Sequence, residues 1–285
     1  MSSLHESLHG AAGNRLAADV FGEAGKPVLL LHGGGQTRHA WRRTAVELAR
    51  TGWLAYAVDQ RGHGDSEWVS DGAYAFSDFA DDVKVVAAEI ARHGVPPVAI
   101  GASLGGIASL LAAGEADTPI LAALVLVDIT PKVDLAGVSK VHGFMRAHAR
   151  DGFATVDEAA DAVAAYLPHR PRPRSTEGLK KNLRLHPDGR WRWHWDPRFL
   201  DSRLPGGTGR SEREERLTAA ARNLKIPTLL VRGGSSELVQ EEHAKEFLAL
   251  VPHARFADVS GARHMVAGDK NDQFAAAILG FLKDL

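Results

Sequence analysis

The stretch PPVAIGASLGGIASLLA, residues 96–112, restricts the fold more than any other part of the chain. Val98-Ala99-Ile100 is an apolar, β-type run that meets Gly101-Ala102-Ser103-Leu104-Gly105-Gly106. A helical pattern without a breaker follows, with Ile107, Leu110 and Leu111 at helix spacing. A strand that turns at once into a helix holds its central residue in a strained conformation. The positions two before and two after must then lack bulky side chains. Ser103 is the central residue here, and the turn pushes its hydroxyl outward beside the free N–H groups of the new helix. Gly-x-Ser-x-Gly is a common pattern by itself. The flanking strand and helix are what make Ser103 a candidate nucleophile.

The rest of the chain alternates strand and helix around this turn. Val28-Leu29-Leu30-Leu31 is apolar throughout and too short for a helix, which predicts a strand buried on both faces. It ends in His32-Gly33-Gly34-Gly35, where backbone N–H groups can approach a ligand with no Cβ in the way. Residues 40–51 predict a helix, and Leu54 to Val58 a strand that runs into Asp59-Gln60-Arg61-Gly62-His63-Gly64-Asp65-Ser66. The Asp, Arg and Ser side chains of that loop are best suited to shaping the turn. A helix is predicted over 76–93 and a buried strand over 121–127, the latter ending at Asp128-Ile129-Thr130-Pro131. After a long interruption come a strand at 227–231, a helix at 240–250, a short strand at 255–259, a loop with His264 and a helix at 273–285. Such alternation implies an α/β fold with a doubly wound, mostly parallel sheet.

Several function classes are excluded or disfavoured. The absence of cysteine excludes disulfides, thiolate metal sites and cysteine catalysis. A net charge of −1 gives no reason to expect a nucleic acid or an anionic membrane as partner. Residues 1–20 lack a basic segment followed by an apolar one, and no apolar run approaches the ~20 residues that span a bilayer. A cytoplasmic protein acting on a small molecule is therefore the expectation. His5-Glu6-Ser7-Leu8-His9 matches the H-E-x-x-H pattern of zinc peptidases, which needs a helix with both histidines on one face. Here Leu8, Leu16, Ala18 and Val20 instead predict two short strands around Gly13-Asn14, so no metal is expected.

Four motifs in this order carry a family resemblance: His32-Gly33-Gly34-Gly35, the loop from Asp59 to Ser66, Gly101-Ala102-Ser103-Leu104-Gly105, and Gly261-Ala262-Arg263-His264-Met265. The chain resembles an α/β-hydrolase, specifically the lidded, cofactor-independent serine hydrolases that include esterases, C–C hydrolases and perhydrolase-like enzymes. The resemblance implies a core of residues 1–131 and 223–285, with residues 132–222 inserted as a mostly helical lid. That insertion holds helical pieces at 144–150 and 156–167, a Pro/Arg run at 168–174, and Trp191-Arg192-Trp193-His194-Trp195. Its residues 132–216 carry a net charge of +5. Trp191, Trp193 and Trp195 are expected either to line a substrate pocket or to form the lid's own core. The basic balance suits an anionic substrate or simply a solvated face.

The chemistry needs partners for Ser103. A hydroxyl is a weak nucleophile at neutral pH, so an imidazole must take its proton and a carboxylate must hold that imidazole in the right tautomer. His264 lies in the loop after the last strand, in the Ser–acid–His order of this fold. Many relatives carry the acid in the loop where this chain has Ser235-Ser236-Glu237; others place it where this chain has Asp128. Asp128 is preferred, with Glu237 the alternative. The oxyanion would be held by N–H groups of Leu104 and of Gly34 or Gly35. The expected activity is cleavage of a small or medium ester, lactone or related acyl compound through an acyl-enzyme, with no cofactor. C–C or amide hydrolysis, or ligand binding without turnover, are the alternatives.

Overall fold

Neighbouring residues on the central strands enter different cores. Leu29 and Leu31 pack into one apolar cluster while Val28 and Leu30 pack into the other, and Leu124/Leu126 and Ala123/Val125/Val127 divide the same way. This is the period of a strand covered on both faces, and it is why these runs are apolar at every position. The computed structural model describes residues 2–92, 94–170, 172, 175–203, 209–264, 266 and 271–285.

The first half comprises β1 (Leu4–His9), β2 (Arg15–Phe21), β3 (Lys26–Leu31), α1 (Arg42–Arg50), β4 (Trp53–Val58) and α2 (Phe76–Ala91). Then come β5 (Val98–Ala102), α3 (Leu104–Gly114) and β6 (Ala123–Val127). After a long excursion the sheet resumes with β9 (Thr228–Gly233), α8 (Glu241–Leu250), β10 (Arg255–Val259) and α9 (Asn271–Leu282). The eight strands lie in the order β1-β2-β4-β3-β5-β6-β9-β10. β1 and β2 join antiparallel, and the strands from β4 to β10 run parallel. α2 and α3 cover one face, where Phe79, Val83, Leu110 and Leu111 are buried, and α1 and α9 cover the other with Ala45, Leu48, Phe274 and Ile278.

The order fixes where a ligand can sit. From β3 the chain steps outward to β4, then crosses back to place β5 on the opposite side of β3. The loops leaving β3 and β5 therefore diverge to opposite faces and leave a crevice between them at the carboxyl ends of the strands. The Gly33–Gly35 loop and Ser103 occupy those two ends.

Between β6 and β9 the chain forms α4 (Leu135–Ala147), α5 (Val156–Tyr166), the short α6 (Glu177–Lys180), a hairpin of β7 (Leu183–Leu185) and β8 (Trp191–Trp193), and α7 (Arg210–Arg222). α4 begins nine residues before the helical piece expected at 144. Asp134 caps it, its carboxylate accepting from the Gly137 N–H at 2.9 Å. The tryptophan-rich run is a strand, with Leu183 opposite Trp193. In the expected Pro/Arg run, residues 171, 173 and 174 lie outside the described residues, as does residue 93 at the expected end of α2.

The H-E-x-x-H segment is β1. His5 and His9 stand four residues apart on an extended chain, roughly 13 Å, too far to share one ion. His5 instead meets Asp19, and His9 meets Glu89.

Candidate active site

Ser103 and Asp128 are the only non-glycine residues with positive φ among the described residues, at +46° and +50°. Each follows directly on the last residue of a parallel strand, β5 and β6 respectively. At Ser103 the reason is the abrupt passage into α3. A Cβ on Gly101 would lie 2.4 Å from the Gly105 carbonyl carbon, and one on Gly105 would lie 2.3 Å from the Leu31 carbonyl oxygen. The glycine spacing seen in the sequence is thus a packing requirement against the turn itself and the end of β3. The turn is tied to its neighbours by Ser103 N–H to the Val127 carbonyl and Gly105 N–H to the His32 carbonyl, both at 3.2 Å.

Asp128 is fully buried and its carboxylate accepts from three donors. The Gly233 N–H reaches Oδ1 at 2.9 Å, and Oδ2 receives the Ser236 hydroxyl at 2.5 Å and His264 Nδ1 at 2.8 Å. Because a carboxylate only accepts, Nδ1 carries the imidazole proton and Nε2 keeps its lone pair. Glu237 is elsewhere, 3.3 Å from Arg263 and 3.9 Å from Lys140. The structure therefore brings Asp128, and not Glu237, to His264. Met265, the last residue of the His264 motif, lies outside the described residues.

Ser236 escaped sequence reasoning. It lies in the loop read as a place for the acid, yet its hydroxyl serves Asp128 and accepts in turn from the Leu238 and Val239 N–H groups at 3.0 and 3.1 Å. A serine next to a candidate acid carries no periodic signal, so its role emerges only when β6 and β9 lie side by side.

The glycine loop after β3 also sorts its donors. The Gly33 N–H is bonded to Gln36 Oε1 at 3.1 Å, and the Gly35 N–H to His63 Nε2 at 3.1 Å. Among the described residues the N–H groups of Gly34 and Leu104 have no acceptor, and both residues border the cavity above Ser103. Gly35, expected as an alternative to Gly34, is thus committed to His63. His63 donates from Nδ1 to the Arg61 carbonyl, which leaves Nε2 as an acceptor. His32 supports the same loop. Its Nδ1 bonds the Gly33 carbonyl at 2.8 Å and its Nε2 accepts from the Gln60 N–H at 3.1 Å, while burial lowers its pKa. The Asp59–Ser66 loop is structural as expected: buried Asp59 pairs with Arg38, which also meets Asp65 at 2.8 Å.

A cavity of about 320 Å³ opens over Ser103 and His264. Its wall is largely apolar, with Ile107, Ile129 and Leu238 from the sheet side and Val138, Met145 and Phe199 from the excursion. Trp191, Trp193 and Trp195 are not in this wall. Trp193 packs edge-on to Phe153 at 5.2 Å, and Trp195 stands behind Phe199 at 6.3 Å. Of the two expectations for these rings, packing within the inserted segment is the one the structure displays.

The segment from 26 to 270 matches the α/β hydrolase fold family. An esterase of Mycobacterium tuberculosis is 30% identical over 273 residues, covering 94% of this chain and 86% of the relative. The chain belongs to the α/β hydrolase fold family. A 2-(acetamidomethylene)succinate hydrolase of Mesorhizobium japonicum is 28% identical over 262 residues, covering 91% of this chain and 88% of that one. A solved structure of E-2-(acetamidomethylene)succinate hydrolase superimposes with a TM-score of 0.84 at 22% identity, covering 99% of each chain, which is likeness of fold. These relatives identify the α/β hydrolase described here as a hydrolase. No helix among the described residues is long and apolar enough to cross a membrane.

Proposed function

We propose that this α/β hydrolase is a serine hydrolase that cleaves a small or medium ester, lactone or related acyl compound through an acyl-enzyme. The observation that carries the reading is the joint strain of Ser103 and Asp128, with Asp128 bonded to His264 beside the cavity that Ser103 also lines. Non-glycine residues are held in this region of φ only where the surroundings enforce it, and such positions cluster at functional sites.

In this mechanism Ser103 Oγ attacks the substrate carbonyl carbon while His264 Nε2 takes its proton. Asp128 steadies the imidazolium that forms, and Ser236 and the Gly233 N–H hold Asp128. The N–H groups of Gly34 and Leu104 receive the oxyanion. Collapse expels the alcohol, which takes the proton from His264. Water then adds to the acyl group by the same route in reverse, releasing the acid and restoring Ser103. Residues 132–222 act as a lid, since Val138, Met145 and Phe199 close the cavity from above. A second reading, amide hydrolysis, draws support from the 2-(acetamidomethylene)succinate hydrolase relative, because the same acyl-enzyme chemistry serves an amide.

Initial rates on p-nitrophenyl esters of increasing acyl length test the proposal, with Ser103→Ala in parallel. Release by the native protein and its loss in the variant are expected, together with covalent labelling by a fluorophosphonate. Equal rates in both proteins would overturn the role of Ser103, and neither release nor labelling would overturn the reading in favour of a binding protein.

A further inference from the structure

One face of α7 is turned into the cavity, and its charges do not balance. Arg210, Arg213, Glu214 and Leu217 all border the cavity, at the i, i+3, i+4, i+7 spacing of a single helix face. Glu214 is the only carboxylate in the cavity wall among the described residues, and it is taken by Arg210, with Nη2 to Oε1 at 2.8 Å and Nε at 2.9 Å. Arg213 has no carboxylate partner among the described residues. Its guanidinium lies over the Phe76 ring, 5.5 Å from the centroid. Elsewhere in the segment several arginines are matched to acids: Arg172 to Asp157 and Asp161, Arg192 to Asp188, and Arg216, three residues on, to Glu115. Of the two arginines that border the cavity, Arg210 is paired to an acid among the described residues and Arg213, exposed at its rim, is not.

We propose that Arg213 is a carboxylate-binding subsite, so that the preferred substrate carries an ionised carboxylate in addition to its scissile acyl group. The proposal deepens the serine-hydrolase reading and rests on it for the position of the scissile bond. A guanidinium stacked on a ring keeps its edge N–H donors free, and two of them match the two oxygens of a carboxylate. A neutral acyl chain of the same length would contact the apolar wall equally well but leave the arginine unanswered. The net charge of +5 over residues 132–216 adds a field that draws anions to this side of the molecule.

The test compares kcat/KM for p-nitrophenyl monoesters of succinic, glutaric and adipic acid with the neutral butyrate, valerate and hexanoate esters. A second set compares 4-carboxyphenyl butyrate with phenyl butyrate, to place the charge in the leaving group. The native protein is expected to favour the charged member of at least one pair by about tenfold or more, as for a hydrogen-bonded ion pair in a partly open site. Arg213→Gln should reduce that ratio about tenfold, Arg213→Lys should retain part of it, and Glu214→Gln, which releases Arg210, should increase it. Calorimetric titration with glutarate, against butyrate as control, reads the subsite independently of turnover. Glutarate should bind more weakly to Arg213→Gln by about tenfold. No preference in any pair, or equal glutarate affinity in both proteins, would overturn the subsite. Turnover that persists in Ser103→Ala would overturn the serine mechanism while leaving the titration result standing.

Discussion

Asp128 Oδ2 lies 2.8 Å from His264 Nδ1 although they stand 136 positions apart, and the contact joins the segments that follow β6 and β10, across the end of β9, rather than lying within one loop. An imidazole oriented in this way depends on a carboxylate that is itself held on both oxygens. Replacing Asp128 by Asn puts an N–H₂ or a weaker acceptor opposite Nδ1 and favours the wrong tautomer. Turnover of a p-nitrophenyl ester should fall about 10⁴-fold. Glu237→Gln, which weakens the pairing with Arg263 and Lys140, should stay within a few fold of the native rate. The reverse ordering would move the acid to Glu237.

Ser236 should behave as a positioning residue. Ser236→Ala removes one donor from Asp128 and the acceptor for two backbone N–H groups, and the rate is expected to drop about tenfold or somewhat more. Ser236→Thr keeps the hydroxyl and should recover most of it. If the threonine and alanine variants label with fluorophosphonate at the same rate, the hydroxyl has no part in orienting the acid.

Two glycines in helices make opposite predictions for stability. A Cβ at Gly105 would press on the backbone and Cβ of Leu31, so Gly105→Ala should destabilise by about 1–3 kcal/mol. Gly143, in the middle of α4, has open space around it, and Gly143→Ala should stabilise by up to about 1 kcal/mol. Denaturant midpoints of the two variants measure both; a shift of the same sign in each would contradict the packing account of the turn.

Acid should weaken the fold through His32. Burial lowers its pKa, so below about pH 6.5 the unfolded chain takes a proton that the native imidazole refuses. Stability is then fully present above that pH and declines as pH falls, by about 1.4 kcal/mol per pH unit until the native imidazole titrates. His39 and His194, also lowered by burial, add to the trend. The informative quantity is therefore the difference between native protein and His32→Gln in urea unfolding from pH 7.5 to 5.5. Parallel slopes in the two proteins would remove His32 from the explanation.

Much of this architecture could be read from the chain because local and global signals coincide in it. Val28–Leu31 and Ala123–Val127 are apolar at every position since each residue enters a core on one face or the other. Ser103 was visible because strand, glycines and helix are contiguous, and His264 because it follows the last strand. Asp128 could be preferred to Glu237 only by resemblance, with Glu237 left open, since the choice depends physically on which carboxylate the sheet brings to Nδ1. The roles of Ser236 and His63 were invisible for the same reason: each acts on a residue distant in sequence. The tryptophans at 191, 193 and 195 gave a compositional signal only, and alternation on a short strand sends Trp193 into Phe153 and away from the cavity.

The two left-handed residues have a consequence for evolution in the laboratory. A glycine at 103 would adopt the same backbone freely, whereas serine there is held at an expense of about 1–3 kcal/mol. At 128 the three donors on the buried carboxylate offset the strain, and a glycine would strand them. Selection of this chain for thermal tolerance alone should therefore accept Ser103→Gly but not Asp128→Gly, and the hardier protein so obtained would be hydrolytically silent.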